Sequence, residues 1–393
     1  MLRSLVIEGF KAYDAYEIPI RPFTVLIGPN GAGKTTALEA IDVLGRLVTG
    51  TIKDLLEAKS WEYGDLPHLR AATKEFGIVA DLVFDGEPVR WMLRLGAKRR
   101  PGISQELVLT PGEPGSRGRR KPAPKRLWLT RTGRRMKRWA ADGTVESISQ
   151  TLTSSWLSAI DEEDRDRFPA LLQVADWARR IRGYFFLDPS KLRSPSRGEG
   201  EELGVNGESL APFLARLRDR DRGAFERVQK RVQKHYPRLL ELHPVRRGFG
   251  WTHLEVTERW NGETARFNAR QVSDGLLRII AVAAMHELPV RPSVLLLDEI
   301  ENGLHPQLLG GFMKMLQDLV RSTRGQTQIV LATHSPITVN FCESPDDVIL
   351  VTRERGGHPT CTPLSKTRGF EKLRAHFDLG ELWYNVGERD LLR

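Results

Sequence analysis

Cysteine is all but missing from this chain. Cys342 and Cys361 are the only two in 393 residues, and neither stands in metal-ligand spacing, so both read as ordinary core or surface thiols. Long apolar runs are missing too. The longest notable one, Ile279 to Met285, falls well short of the ~18 residues of a membrane span. Met1 to Glu8 alternates like a strand and lacks a signal-peptide profile. The expectation is a cytoplasmic protein with no membrane partner. No internal repeat is visible, and the apolar positions between Leu210 and Val232 do not sustain heptads, which excludes a long coiled coil. Acidic residues are scarce in one place. Residues 98–138 hold fourteen Lys/Arg against Glu106 and Glu113, an excess larger than the chain's whole net charge of +10. The basicity therefore belongs to one inserted segment, and the remainder is slightly acidic.

What is present begins with Gly28-Pro29-Asn30-Gly31-Ala32-Gly33-Lys34-Thr35, which fits the phosphate-binding pattern G-x-x-x-x-G-K-[ST] at every fixed position. Thr24 to Ile27 ahead of it reads as a buried strand, and Thr36 to Ile41 behind it as a helix. Glycines are needed where backbone N–H groups must turn inward around a phosphate, in conformations a Cβ would block. The candidate nucleotide-binding residues are Gly28, Asn30, Gly31, Gly33, Lys34, Thr35 and Thr36. Lys34 would reach the β- and γ-phosphates, and the Thr35 hydroxyl would serve Mg²⁺. ATP and Mg²⁺ are the expected cofactors. Lys11, on the turn between the first strands, could reach a phosphate from the side or simply be a solvated lysine.

Further along, Ile78 to Phe84 and Val89 to Leu95 flank Asp85-Gly86-Glu87, a hairpin signal. Gln105 to Leu109 and Leu127 to Leu129 read as further strands of the basic insertion, and the segment from Pro111 to Pro124 as its tip. Trp128 and Trp139 stand among arginines, a mixture suited to a nucleic-acid backbone or to a solvated β-surface with tryptophans packed beneath it. Residues 151–182 read as helical, Tyr184 to Leu187 as a strand, and Leu210 to Leu217 and Phe225 to Val232 as two short helices broken near Gly223. Ser293 to Leu297 is a continuous apolar run, as a doubly covered parallel strand requires. It ends at Asp298-Glu299, a Walker B pattern in which Asp298 would hold Mg²⁺ and Glu299 would orient and deprotonate the attacking water. A third such strand, Gln328 to Thr333, ends at His334, placed to sense a γ-phosphate.

The order of these motifs resembles an ABC-type ATPase, and within that class the RecF/SMC/OLD-like ATPases of the AAA15/AAA21 group. The residues that carry the likeness are Ile7 to Lys11, Gly28 to Thr35, Ser273 to Arg278, Asp298-Glu299 with Gly303 to Pro306, and Thr333 to Pro336. It covers both ends of the chain, and residues 97–250 only in layout. The resemblance implies an α/β fold, a P-loop NTPase of ABC-ATPase type, with a mixed sheet, an antiparallel β lobe and a short helical arm. It implies lobes at 1–190 and 251–393 with the arm at 191–250. It makes Ser273-Asp274-Gly275 the signature, whose Ser273 and Gly275 complete the ATP site of an opposite subunit, so a homodimer with ATP between the heads is expected. Ser273 could equally be an ordinary helix N-cap. No Q-loop glutamine is placed; Asp188 lies in the right region only. OLD nucleases append a Toprim domain after the switch histidine; with 59 residues after His334, no nuclease is expected in this chain. Two functions fit: ATP-driven head dimerisation coupled to DNA binding in repair or genome maintenance, with DNA on the 98–138 insertion, or an ATPase sensor of an anti-phage or toxin-type system acting through a separate effector protein.

Overall fold

The computed structural model describes residues 1–69, 74–96, 101–112, 124–184, 188–204, 206–299, 301–302, 304–353 and 359–386. Outside them lie residues 185–187 of an expected strand, 98–100 and 113–123 of the basic insertion (with Arg117, Arg119, Arg120 and Lys121), and Gly303. The chain forms two compact units, Met1–Arg182 with Ile349–Lys366, and Gly183–Val348 with Thr367–Arg393.

The first unit opens with β1 (Leu2–Phe10), β2 (Tyr13–Pro19) and β3 (Phe23–Ile27), then α1 (Lys34–Thr49) and α2 (Ile52–Lys59). A meander follows: β4 (Glu75–Phe84), β5 (Glu87–Gly96), β6 (Gly102–Thr110), β7 (Arg126–Thr132), β8 (Arg135–Trp139) and β9 (Val145–Ser149). These strands and the first two make one eight-stranded antiparallel sheet in the order β2-β1-β4-β5-β6-β7-β8-β9. The basic insertion is thus the far half of a sheet begun by the N-terminus. Asp85 at φ 50 and Gly86 at φ 88 give the β4–β5 turn the two left-handed residues that match strand twist. Along β5 the side chains alternate, with Trp91, Leu93 and Leu95 buried and Arg90 paired to Asp81 (2.6 Å) on the outer face. By β9 the alternation has faded and nearly every residue is exposed.

One carboxylate pins the middle of this sheet. Glu106 is buried, and accepts from Trp91 Nε1 (3.2 Å), Ser155 Oγ (2.5 Å) and the Trp156 amide (2.9 Å), with the Arg131 guanidinium 4.0 Å away. Arg131 in turn donates to the carbonyls of Leu152 and Ser154. Residues 151–182 are less helical than their apolar spacing suggests. Single 3-10 turns at Trp156–Ala159 and Glu162–Asp164 precede α3 (Pro169–Arg179), because Ser155 and Asp161 each cap a fresh turn and Pro169 starts the real helix.

After β10 (Ile181–Tyr184), the second unit carries α4 (Pro189–Arg193), β11 (Ser196–Arg197), α5 (Leu210–Arg220), α6 (Arg222–His235), β12 (Leu239–Arg246), β13 (Trp251–Trp260) and β14 (Glu263–Asn268). Then come α7 (Asp274–Met285), β15 (Val294–Asp298), α8 (Pro306–Ser322), β16 (Gln328–Ala332) and α9 (Pro336–Asn340). The two helices of the short arm break at Asp221, whose carboxylate caps α6 through the Ala224 amide (2.9 Å). Helix α7 is buried from Gly275 to Met285, as expected of a helix apolar on every side. Strands β15 and β16 run parallel, with Asp298 opposite Ala332. β12, β13 and β14 form an antiparallel group joined by β11.

The chain then gives the first unit β17 (Val348–Arg353) and β18 (Pro359–Pro363), an antiparallel pair with β17 beside β3, and ends in the second unit with α10 (Phe370–Arg374) and α11 (Leu379–Val386). Both cysteines are buried free thiols, and burial pushes each up to about 12, out of reach of ordinary thiolate chemistry. Among the described residues no helix is long and apolar enough to cross a membrane.

Candidate functional site

In the first unit, β3 is buried at all five positions and delivers the chain into the glycine loop. Gly28, Gly31 and Gly33 lie at φ 142, 74 and 116, values that turn backbone amides inward and that L-residues avoid. A Cβ on Gly28 would stand 1.9 Å from the Val351 carbonyl oxygen, so β17 itself demands glycine there. Gly31 is different, since a Cβ on it would meet nothing within 4 Å. The space facing that glycine is open. Helix α1 starts directly at Lys34, whose buried ammonium donates to the Gly28 (2.8 Å) and Pro29 (3.0 Å) carbonyls across the loop. A cation held inside a ring of backbone, at a helix N-terminus, is a built anion cradle. Thr35 is exposed at the first turn, and Thr36 is buried behind it.

Lys11 is neither solvated nor idle. It sits at φ 46 on the β1–β2 turn, ion-paired to Glu39 (2.8 Å) on α1, with its ammonium 3.6 Å from the centre of the Trp61 ring. That arrangement ties the turn to the helix carrying Lys34.

The remaining candidates lie in the second unit. The parallel register of β15 and β16 brings Asp298-Glu299 and Thr333-His334 to one sheet edge, the edge where α/β sheets place ligands. Asp298 is buried. Glu299 adopts φ 45 and anchors its amide on the Ala332 carbonyl (2.9 Å), a left-handed conformation typical of functional positions. Its carboxylate accepts from Asn302 Nδ2 (2.9 Å) and faces His334 Nε2 at 3.3 Å, both side chains being half-buried. Glu301, which the sequence did not single out, holds the backbone of the histidine. It accepts from the His334 amide (3.1 Å) and from the Thr333 hydroxyl, which also accepts from the Ser335 amide (2.9 Å).

Ser273 is exposed at the N-cap of α7, where its Oγ accepts from the Leu276 amide (3.3 Å). Gly275 is buried in the first turn. Arg193, at the end of α4, ties this segment down by donating to the Val272 carbonyl (3.0 Å) and to the Asp274 carboxylate. Asp188 caps α4 through the Ser190 amide (2.8 Å), a sufficient structural reason for its presence. Buried Arg278 has its pKa lowered by desolvation, partly offset by Asp274, Glu301 and Asp188.

The described part of the basic insertion divides into committed and uncommitted cations. Arg126 donates to the Ala140 (2.6 Å) and Ala141 (2.7 Å) carbonyls, Arg131 is buried, and Arg138 is paired to Glu146 (2.6 Å) and Asp164 (3.5 Å). Trp128 is buried too, its Nε1 donating to Thr110 Oγ1 (2.9 Å) beneath Arg126. Arg134, Arg135 and Lys137 are exposed and make no salt bridge among the described residues.

With that geometry in view, the comparisons with known proteins are decisive about class. Residues 23–340 match the family described as "AAA domain, putative AbiEii toxin, Type IV TA system". The chain belongs to this family. Its span covers the glycine loop, Ser273 to Gly275, Asp298-Glu299 and His334 together. Short stretches are similar to the OLD nuclease of Thermus scotoductus (46% identical over 44 residues) and to the DNA replication and repair protein RecF of Vibrio vulnificus (51% over 45). Each match covers 11% of this chain, and only 8% and 12% of those proteins. Solved SMC heads share the fold. One bound to the C-winged helix domain of ScpA covers 92% of this chain and 96% of its own at TM-score 0.53, and one from Pyrococcus furiosus bound to the C-terminal domain of ScpA covers 95% and 98% at 0.50, both at 15% identity. The AAA-domain family member described here is thus a RecF/SMC/OLD-like ABC-type ATPase with an α/β fold.

Proposed function

We propose that this chain binds ATP with Mg²⁺ at the Gly28–Thr36 loop and hydrolyses it with Glu299 as the general base. The observation that carries the reading is the carboxylate of Glu299, set at a strained strand end between Asn302 and His334. A structural carboxylate would need neither the left-handed backbone nor the imidazole. Lys34 trades its two loop carbonyls for phosphate oxygens when the cradle fills. Thr35 of the first unit and Asp298 of the second are the residues we assign to Mg²⁺, which would neutralise charge on the phosphates. Glu299 takes the proton of the attacking water, and Asn302 and His334 fix its orientation. Glu301 holds the His334 backbone through its amide, fixing the point from which the imidazole reaches Glu299.

The wider reading is that ATP drives head dimerisation through Ser273 and Gly275, coupled to DNA on the insertion. Support comes from the exposed cations of β8 and from the likeness to RecF. The alternative, an ATPase sensor of a toxin-type or anti-phage system with a separate effector, is supported by the family's own description as a toxin of a type IV system. Steady-state hydrolysis and nucleotide binding test the core of the proposal. Lys34→Ala should lose most ATP affinity. Glu299→Gln should bind ATP as tightly as wild type yet hydrolyse it at least ~10²-fold more slowly, the scale of a lost general base. Hydrolysis by Glu299→Gln at the wild-type rate overturns the assignment.

A further inference from the structure

The second unit carries a surface that the nucleotide chemistry leaves unused. The turn between β12 and β13 reads Arg246-Arg247-Gly248-Phe249-Gly250-Trp251. Phe249 is 94% exposed and stands at φ 60, a region bulky side chains avoid. A turn that needed only this backbone would be served by a third glycine, and a ring left in water contributes nothing to the core. Trp251 is 40% exposed, pairs across the strands with Arg197, and has that guanidinium 4.5 Å above its ring.

Beside the tip lies a cavity of about 280 Å³ lined by Arg193, Arg247, His253, Asn268 and Arg270, with Glu255 as its one carboxylate. Glu255 is already occupied by His253 (2.8 Å) and Arg266 (2.5 Å), with Arg247 at 3.8 Å. Arg197 and Arg270 have no carboxylate partner among the described residues. The surface therefore offers the fully exposed Phe249 ring and the part-exposed Trp251 ring, backed on one face by Arg197, next to an arginine cavity with positive charge to spare. No exposed aliphatic side chain stands between Arg246 and Trp251, as a protein-docking patch would require.

We propose that this tip and cavity bind a single-stranded nucleic acid, with bases stacked on Phe249 and Trp251 and a backbone phosphate drawn to Arg247 and Arg270. The inference rests on the nucleic-acid reading above for its ligand class, but on different residues. A duplex keeps its base faces stacked inside, so free aromatic faces select unpaired bases. Arg193 lines the cavity and also holds Val272 and Asp274, so a phosphate there competes for the contact that fixes the approach to Ser273.

Fluorescence anisotropy of the full chain with labelled oligothymidine at low salt tests this, alongside an abasic strand with the same number of phosphates and a labelled duplex. Phe249→Ala with Trp251→Ala should weaken oligothymidine binding about thirtyfold or more, the scale of two lost stacking contacts. Duplex binding and ATP hydrolysis should be unchanged. Wild type should bind the abasic strand no better than the double variant binds oligothymidine. Arg270→Ala should flatten the salt dependence. Wild-type binding by the double variant, or equal binding of the abasic strand, overturns the proposal. So does competition by polyglutamate as effective as that by oligothymidine, which would mark a docking site for acidic protein. If Arg134→Glu, Arg135→Glu and Lys137→Glu together abolish duplex binding while the tip variants change nothing, the insertion reading stands and this one falls. The reverse pattern separates them the other way.

Discussion

At the scale of single residues, the glycine loop shows two different reasons for the same amino acid. Gly28 is required by packing, because a Cβ would collide with the Val351 carbonyl at 1.9 Å, a backbone atom that cannot step aside. Gly31 is required only by its φ of 74 and by what must approach it. Gly28→Ala should therefore cost more than ~3 kcal/mol of stability or prevent folding, whereas Gly31→Ala should cost about 1 kcal/mol, the strain of a left-handed alanine, and weaken ATP binding. Denaturant titration of the two variants checks this, and equal losses would contradict the loop geometry. The loop and the Asp298-Glu299 pair were legible in the sequence because each lies within a few consecutive residues. Glu301 was not, because its partners Thr333 and His334 are more than thirty positions away and meet it only through the β15–β16 register. Arg193 escaped for the same reason, being 79 residues from the Val272 carbonyl it holds. Lys11 had two open readings in the sequence, and its contacts with Glu39 and Trp61 replace the solvated one.

At the scale of elements, legibility followed amphipathicity. The β4–β5 hairpin and the strands around Leu107 and Trp128 were readable because one face is buried and a turn signal separates them. Strands β8, β9 and β14 were not, since β8 and β9 close the exposed end of the first sheet and β14 flanks β13 alone, where burial imposes little alternation. The exposed end of the first sheet sets the charge prediction. Reversing Arg138 would break its contacts with Glu146 and Asp164, so the informative set is Arg134, Arg135 and Lys137. Contacts from these three to duplex phosphates would contribute roughly −3 to the log–log salt slope, and their reversal to glutamate should remove that much while leaving basal ATP hydrolysis intact. The α7–α8 pair carries a pH dependence. His286 donates to the Met315 carbonyl (3.0 Å), and burial, helped by nearby Arg231 and opposed by Glu287 and Asp318, lowers its pKa to about 4. The folded state thus keeps it neutral while the unfolded chain protonates near pH 6.5. Stability from this site is complete above that value and is lost as pH falls from about 6.5 towards 4, by roughly 2–3 kcal/mol. Thermal melts across this range should show the loss, and His286→Gln, which retains a donor, should flatten it. An unchanged slope would place the sensitivity on another group, and not on the Glu287 carboxylate, whose pKa Arg227 and Arg231 hold below the usual range despite its burial, so that its contribution is lost only below about pH 4.5.

At the scale of the whole molecule, the residues of the proposed ATPase chemistry are divided between the two units of one chain, with the glycine loop in the first and Ser273, Asp298, Glu299 and His334 in the second. Ser273 is exposed, although its hydroxyl is already used within its own helix. The N-cap role and a role towards a second copy are therefore separable by substitution. Ser273→Ala removes the cap, worth about 1 kcal/mol, but adds no bulk. Ser273→Arg removes the cap and also projects a long cation from the helix start. If two copies close around ATP on an isologous two-fold, trapping the ATP state with Glu299→Gln should double the mass seen by light scattering. Adding Ser273→Ala should leave that doubling in place at slightly reduced thermal stability, and adding Ser273→Arg should abolish it at the same stability as the alanine variant. Loss of the dimer in both variants would mean that the cap, and not an outward contact, is what assembly needs. A mass unmoved by ATP across micromolar concentrations would remove the ATP-driven dimer from the proposal while leaving the hydrolytic assignment of Glu299 intact, since that residue's contacts with Asn302 and His334 lie wholly within one chain.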